Sequence, residues 1–217
     1  MPTHADALYG WLLLSRLGEA QILLPLALFT GLALCRQPQQ RRWVAVWMLL
    51  LGLAVALTTA SKLAFIGWGY GIAAINFTGI SGHTMFASAV YPVLLVSVMV
   101  GSTPGRWRLA LLLGVALAVL LGCSRMAVGA HSPSEVLAGL VVGGSVSVAV
   151  LVLASLGHSR LPPVVPMVLL VWVLLTPAGM PASQTHSLVT RLALWLSGHT
   201  VPYTREDMLR SAAMAPG

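Results

Sequence analysis

Apolar runs of membrane-spanning length, separated by short polar clusters, make up most of the chain. A helix needs about 20 apolar residues to cross a bilayer, with roughly 17–25 as the working range. Six runs fit or approach that length: Ala20–Cys35, Trp43–Ala60, Thr84–Val100, Trp107–Cys123, Val136–Leu156 and Pro163–Pro177. The short alternating segments of a transmembrane barrel are absent from the sequence. The pattern predicts an all-α integral membrane bundle of about six transmembrane helices. It divides into an N-terminal interfacial segment (1–19), with the start of a tilted first span as the alternative, a membrane domain (20–180) and a C-terminal tail (181–217). In the tail, Leu188, Leu192, Leu194 and Trp195 around Arg191 mark a candidate interfacial helix. Beyond Pro202 the chain turns polar and is expected to be mobile. Gly143-Gly144, Ser145 and Ser147 predict close helix packing in the fifth span. Trp43, Trp47, Trp68 and Trp107 fall where an aromatic belt is expected.

Composition sharpens the assignment. Apolar residues make up 58 % of the 217 positions and charged residues 8 %, against about 25 % charged in soluble domains. A water-exposed globule and a disordered chain are both excluded. The net charge is +7, from 12 Lys and Arg against 5 Asp and Glu. The basic residues cluster at the ends of apolar runs, which suits topology and anionic lipid rather than nucleic acid. Arg36, Arg41, Arg42, Arg106, Arg108 and Arg160 fall in three alternate connectors, which the positive-inside rule assigns to the cytoplasm. The opposite face then carries the N-terminus, Ser61–His83, Ser124–Glu135 and the tail. In a bacterial host that face is the periplasmic side of the inner membrane. The N-terminus reads as a poor signal peptide, with His4 and Asp6 where a basic region is usual, so the mature protein is expected to start near Met1; Cys35 and Cys123 are expected on opposite faces, hence not disulfide-bonded. Lys62, the sole lysine, and Arg125 lie on the face where basic residues are not expected, so they need another reason to be there.

Polar residues concentrate on that same face. Ser61-Lys62 ends one helix, Thr78-Gly79-Ile80-Ser81-Gly82-His83 opens the next, and Ser124-Arg125 is followed by His131-Ser132-Pro133-Ser134-Glu135. Helix N-termini attract anions through free N–H groups and the dipole, and Lys and Arg add full charges. The implied ligand is an oxyanion, phosphate first among them. One histidine beside a phosphoryl group can attack phosphorus, and a second can protonate the leaving oxygen. A carboxylate can hold the attacking ring in the right tautomer. No metal or other cofactor is required. Two histidines and a glutamate are also a possible zinc set, but that leaves Lys62 and Arg125 without a role.

These blocks resemble the type 2 phosphatidic acid phosphatases, whose core is related to vanadium haloperoxidases and bacterial acid phosphatases. The family pattern is K-x-x-x-x-x-x-R-P, then P-S-G-H, then S-R-x-x-x-x-x-H-x-x-x-D. Ser124-Arg125, His131 and Glu135 match the third block, with Glu for Asp; Ser81-Gly82-His83 match the second, with Ile80 for Pro. The first is half present: Lys62 stands, but Gly69-Tyr70 replace Arg-Pro. The resemblance implies His131 as nucleophile, Glu135 as its orienting acid and His83 as general acid. It implies Lys62, Arg125, Ser81, the Gly82 amide and Ser124 as phosphate contacts. The missing arginine has candidate replacements in the tail: Arg191, Arg205 and Arg210.

The expected activity is hydrolysis of a membrane lipid phosphate or diphosphate, such as undecaprenyl diphosphate, phosphatidylglycerol phosphate, phosphatidic acid or a lipid A phosphate. Transfer of the phosphoryl group to another acceptor, or non-catalytic lipid-phosphate binding or transport, are the alternatives. Plainer roles compete for single residues. Ser132-x-x-Glu135 with Pro133 is a capping box, His83 suits any interfacial helix start, and Lys62 and Arg125 suit snorkelling anchors. His4, His158, His186 and His199 belong to no motif. The apolar, glycine-rich stretch Leu63–Phe77 is expected to be a short span fragment or a lid.

Overall fold

The computed structural model describes residues 4–99, 106–153, 167–168, 171–172, 175 and 184–214. They form helices α1 (His4–Arg16), α2 (Ala20–Cys35), α3 (Arg41–Trp68), α4 (Gly82–Met99), α5 (Arg106–Ala127), α6 (Pro133–Leu153), α7 (Thr185–Ser197) and α8 (Arg205–Met214). Five stretches are long and apolar enough to cross a membrane: Leu8–Cys35, Pro38–Trp68, Gly82–Met99, Arg106–Ala127 and Pro133–Leu153. The expected sixth span, Pro163–Pro177, lies largely outside the described residues.

Helix α4 is the central post. Every residue from Thr84 to Leu94 is buried, as expected of a helix that is apolar all round. Helices α2, α3, α5 and α6 surround it. Their outward faces carry Leu53 and Leu57, Leu112 and Val119, and Leu137, Val141 and Val148, all exposed and suited to lipid. Pro92 interrupts α4 and deprives the Ser88 carbonyl of its helical donor; the Ser147 hydroxyl on α6 supplies one instead. Trp47 and Trp43 do not join an aromatic belt. Both are buried, Trp47 completely, because its indole N–H donates to the Ala89 carbonyl at 3.1 Å inside the bundle. Trp68 and Trp107 are exposed.

Two of the expected helix ends are corrected. Helix α3 does not stop near Ala60 but runs to Trp68, so Ser61 and Lys62 are helical. Its apolar, good helix-forming residues continue until Gly69, which takes the left-handed conformation (φ 74°) that closes a helix without a Cβ clash. Likewise α5 continues through Ser124 and Arg125 to Ala127. Between α3 and α4 the chain makes a short 3-10 turn, Ala73–Ile75, closed by a bridge between Ile72 and Phe77. The expected mobile tail is also corrected: α8 is a helix, and its first residue is tied to the bundle. The candidate interfacial helix is α7. It lays Val189 and Ala193 on Phe65 and Ile66, and leaves Leu188, Leu192 and Trp195 exposed.

Small residues let α6 approach α4. A Cβ on Gly143 would sit 2.1 Å from the Met85 carbonyl oxygen and 2.2 Å from Ser88 Oγ, whereas one on Gly144 would meet nothing within 4 Å. Gly143 therefore makes the packing that the pair predicted, and Gly144 faces away. Gly143→Ala is expected to lower stability by about 1–3 kcal/mol through overpacking, while Gly144→Ala should stay within about 0.5 kcal/mol of wild type. Denaturation midpoints in detergent micelles check both.

Candidate active site at one end of the bundle

The C-terminal ends of α3 and α5 and the N-terminal ends of α4 and α6 meet at one end of the bundle. Arg41, Arg42, Arg106 and Arg108 begin α3 and α5 at the other end. Lys62, His83, Arg125, His131 and Glu135 are brought together at the first end. Lys62, Arg125 and His131 all lie within electrostatic reach of His83.

His131 and Glu135 form the tightest pair. His131 Nδ1 is 2.7 Å from Glu135 Oε2. An ionised carboxylate only accepts hydrogen bonds, so Nδ1 carries the proton, and in the neutral ring Nε2 is left with its lone pair. Burial pushes the His131 pKa below the usual imidazole value; the charges of Lys62 and Arg125 add to this and Glu135 opposes it. Burial and the two cations thus favour the neutral ring.

Glu135 is fully buried and caps its own helix as well. Its Oε2 accepts from the Ser132 N–H at 3.1 Å, and Ser132 Oγ faces the Glu135 N–H at 3.4 Å, the two halves of a capping box. Its Oε1 accepts from the Thr78 N–H at 2.8 Å and from Thr78 Oγ1 at 2.5 Å. Arg205 Nη2 donates to both oxygens, at 2.8 and 2.9 Å. The capping reading and the histidine-orienting geometry are thus realised in one side chain.

The anion-binding candidates differ in how they are placed. Lys62 Nζ would lie 3.7 Å from a Cβ built on Gly82, at the N-terminus of α4, where the first N–H groups have no intrahelical acceptor. Arg125 Nη1 donates to Ser15 Oγ on α1, while its buried Nε has no partner among the described residues. Ser81 is buried and precedes α4; its N–H donates to the Glu135 carbonyl at 3.1 Å, and its hydroxyl is hydrogen-bonded to Thr84 Oγ1 at 3.0 Å. Ser124 departs from expectation. It is fully buried and its hydroxyl donates to Leu121 O at 2.6 Å, because its place within α5 puts that carbonyl in reach. Among the described residues no three His, Cys, Asp or Glu side chains group closely enough to hold a metal ion.

Of the tail arginines, Arg205 enters this region, whereas Arg210 pairs with Glu206 on its own helix. Sequence reasoning did not anticipate Ser15 as a partner for Arg125 or Asn76 as a partner for Arg205. Neither carries a local signal, since the partners are 110 and 129 residues apart.

Residues 64–159 match the PAP2 superfamily. Over 214 residues the chain is 34 % identical to an "Uncharacterized 22.5 kDa protein in cps region" of Klebsiella pneumoniae, covering 94 % of this chain and 99 % of that protein. The chain belongs to the PAP2 superfamily. No solved structure matches it significantly. The PAP2 match contains the second and third blocks and begins two residues after Lys62. With its candidate spans, this PAP2 protein is an integral membrane protein.

Hydrogen bonds to charged groups contribute about 1.5–3 kcal/mol each, so Thr78→Val should lower stability by roughly that amount. The loss should shrink in a Glu135→Gln background, where the acceptor is neutral. A double-mutant cycle of unfolding free energies measures the difference.

Proposed function

We propose that this PAP2 protein is a metal-independent phosphatase of a membrane lipid phosphate or diphosphate, with its site on the non-cytoplasmic face. The observation that carries this reading is the His131–Glu135 pair, 2.7 Å apart and set among Lys62, Arg125 and His83. His131 Nε2 attacks phosphorus, the bond from phosphorus to the leaving oxygen breaks, and His83 gives that oxygen a proton. Glu135 stabilises the positive charge that develops on the His131 ring. Water then attacks the phosphohistidine and releases its proton to His83, which frees phosphate and restores both rings. Lys62, the unpartnered Nε of Arg125 and the amides opening α4 hold the phosphoryl oxygens. A lipid substrate suits a site at the end of a bundle whose flanks are apolar: the headgroup reaches His131 while the chain stays in the bilayer.

The test is phosphate release from a panel of lipid phosphates and diphosphates by the purified protein. Wild type should release phosphate from at least one, and His131→Ala should lower kcat by at least about a thousandfold, as expected on losing a covalent nucleophile. Equal rates for wild type and His131→Ala would sink the reading. Attack requires the neutral ring, so activity should fall as pH drops through the His131 pKa. Because burial and the neighbouring cations lower that value, the acid midpoint of kcat/KM should lie below about 6.5.

A further inference from the structure

We propose that Arg205, delivered by the C-terminal segment, is a positioning residue for the His131–Glu135 pair: it fixes the Glu135 carboxylate against His131 Nδ1 and sets the basicity of that ring through the carboxylate. The proposal rests on the reading of His131 as the nucleophile.

The delivery is built from ordinary helix-end chemistry. The last carbonyls of α3 have no partners within the helix. Gly69 and Tyr70 N–H groups satisfy Phe65 and Ala64. The next two acceptors are met by the tail: the Tyr203 N–H donates to Ile66 O at 3.0 Å, and His199 Nδ1 to Gly67 O at 2.7 Å. Immediately afterwards a second capping box starts α8. Thr204 Oγ1 and N–H donate to Asp207 Oδ2 at 2.6 and 3.0 Å, and the Asp207 N–H donates back to Thr204 Oγ1 at 3.2 Å. Arg205 is the first residue of that helix. Its position is therefore set by both the end of α3 and its own cap.

The guanidinium is committed to the rear of the site. Nη1 donates to Asn76 O at 2.9 Å and to Asn76 Oδ1 at 2.6 Å, and Nη2 to Glu135 Oε1 and Oε2. Nη2 also lies 3.3 Å from Thr78 Oγ1. Asn76 is the one non-glycine residue with positive φ among those described (52°), and its turn presents both oxygens to Arg205. Arg205 therefore does not stand in for the missing first-block arginine as a phosphate contact. It answers the other departure from the family pattern. The Glu at 135 is one methylene longer than Asp, and its carboxylate is fully buried. The hydrogen bonds from Thr78, Ser132 and His131 hold it ionised, and Arg205 balances its charge.

The charges acting on His131 come from Glu135 on α6, Lys62 on α3 and Arg125 on α5, with His83 nearby on α4. Arg205 faces Glu135 from α8. With Arg205 in place, part of the carboxylate's charge is balanced. Without it, the same carboxylate stabilises the His131 imidazolium more strongly, and the ring titrates at a higher pH.

The test follows the His131 ring by NMR in protein carrying ring-15N histidine, in detergent micelles, with His131→Ala to assign the signal. Arg205→Met should raise the midpoint by about one pH unit, Arg205→Lys should bring back more than half of that shift, and Arg210→Met, on the same helix, should leave it unchanged. A midpoint in Arg205→Met that coincides with wild type overturns the proposal. Should Arg205→Met fail to fold, Arg205→Gln, which also removes the charge but keeps a hydrogen-bond donor, decides. A raised midpoint supports the proposal and a wild-type midpoint overturns it. In lipid phosphate hydrolysis, Arg205→Lys should move the acid limb of kcat upward with KM within about twofold of wild type, since charge is kept while the fork is lost. A large rise in KM with an unmoved limb would make Arg205 a phosphate contact and overturn the positioning role. Because the titration needs no turnover, the two readings fail separately. A shifted midpoint in a protein that hydrolyses nothing removes the phosphatase and keeps the Arg205–Glu135 coupling; hydrolysis with an unshifted midpoint removes the coupling alone.

Discussion

A fully buried carboxylate organises this end of the protein. Glu135 accepts from Thr78 before α4, from Ser132 at the start of its own helix, from His131, and from Arg205 in the C-terminal segment. Buried charge is tolerated only when paired and hydrogen-bonded. Each donor must therefore be held in place, and the four come from three separate stretches of chain. The loop after α3, the turn before α6 and the tail converge because this one acid has to be satisfied.

The bundle beneath supplies rigidity of a different kind. Helix α4 is buried from Thr84 to Leu94, and Gly143 allows α6 to press on its backbone. Polar exceptions within it are answered internally: Trp47 donates to Ala89, and Ser147 to the carbonyl that Pro92 leaves without a donor. Backbone groups in a lipid environment have no water to turn to. The N-termini of α4 and α6 are thereby fixed next to each other, with Ser81 N–H joined to the Glu135 carbonyl. That junction sets His83 and His131 on one surface.

The PAP2 blocks are legible in the amino-acid order because they are local. Ser124-Arg125, His131 and Glu135 sit on consecutive helix ends, and the i, i+4 spacing of His131 and Glu135 already places ring and carboxylate within reach. The spans are legible from hydropathy. Their ends are less so: α3 and α5 run past Lys62 and Arg125, because polar residues at the mouth of a site do not break a helix whose backbone remains paired. The tail departs furthest from expectation. Its polarity suggests mobility, but that polarity consists of caps and an arginine whose partners lie elsewhere in the chain.

The amino-acid sequence by itself determined a helical membrane protein, a cluster of cations and imidazoles at one face, and the pairing of His131 with Glu135. Hydrophobic run length and helical periodicity act over one or two dozen neighbouring residues, and such features are written within that range. Only the tertiary structure decided that Ser15 meets Arg125, that Ser124 turns into its own helix, and that Arg205 closes on Glu135 across 70 positions of sequence. Those contacts depend on how helix ends are brought into register. Register follows from close packing, such as that of Gly143 on Met85, and from the need to satisfy the last carbonyls of α3.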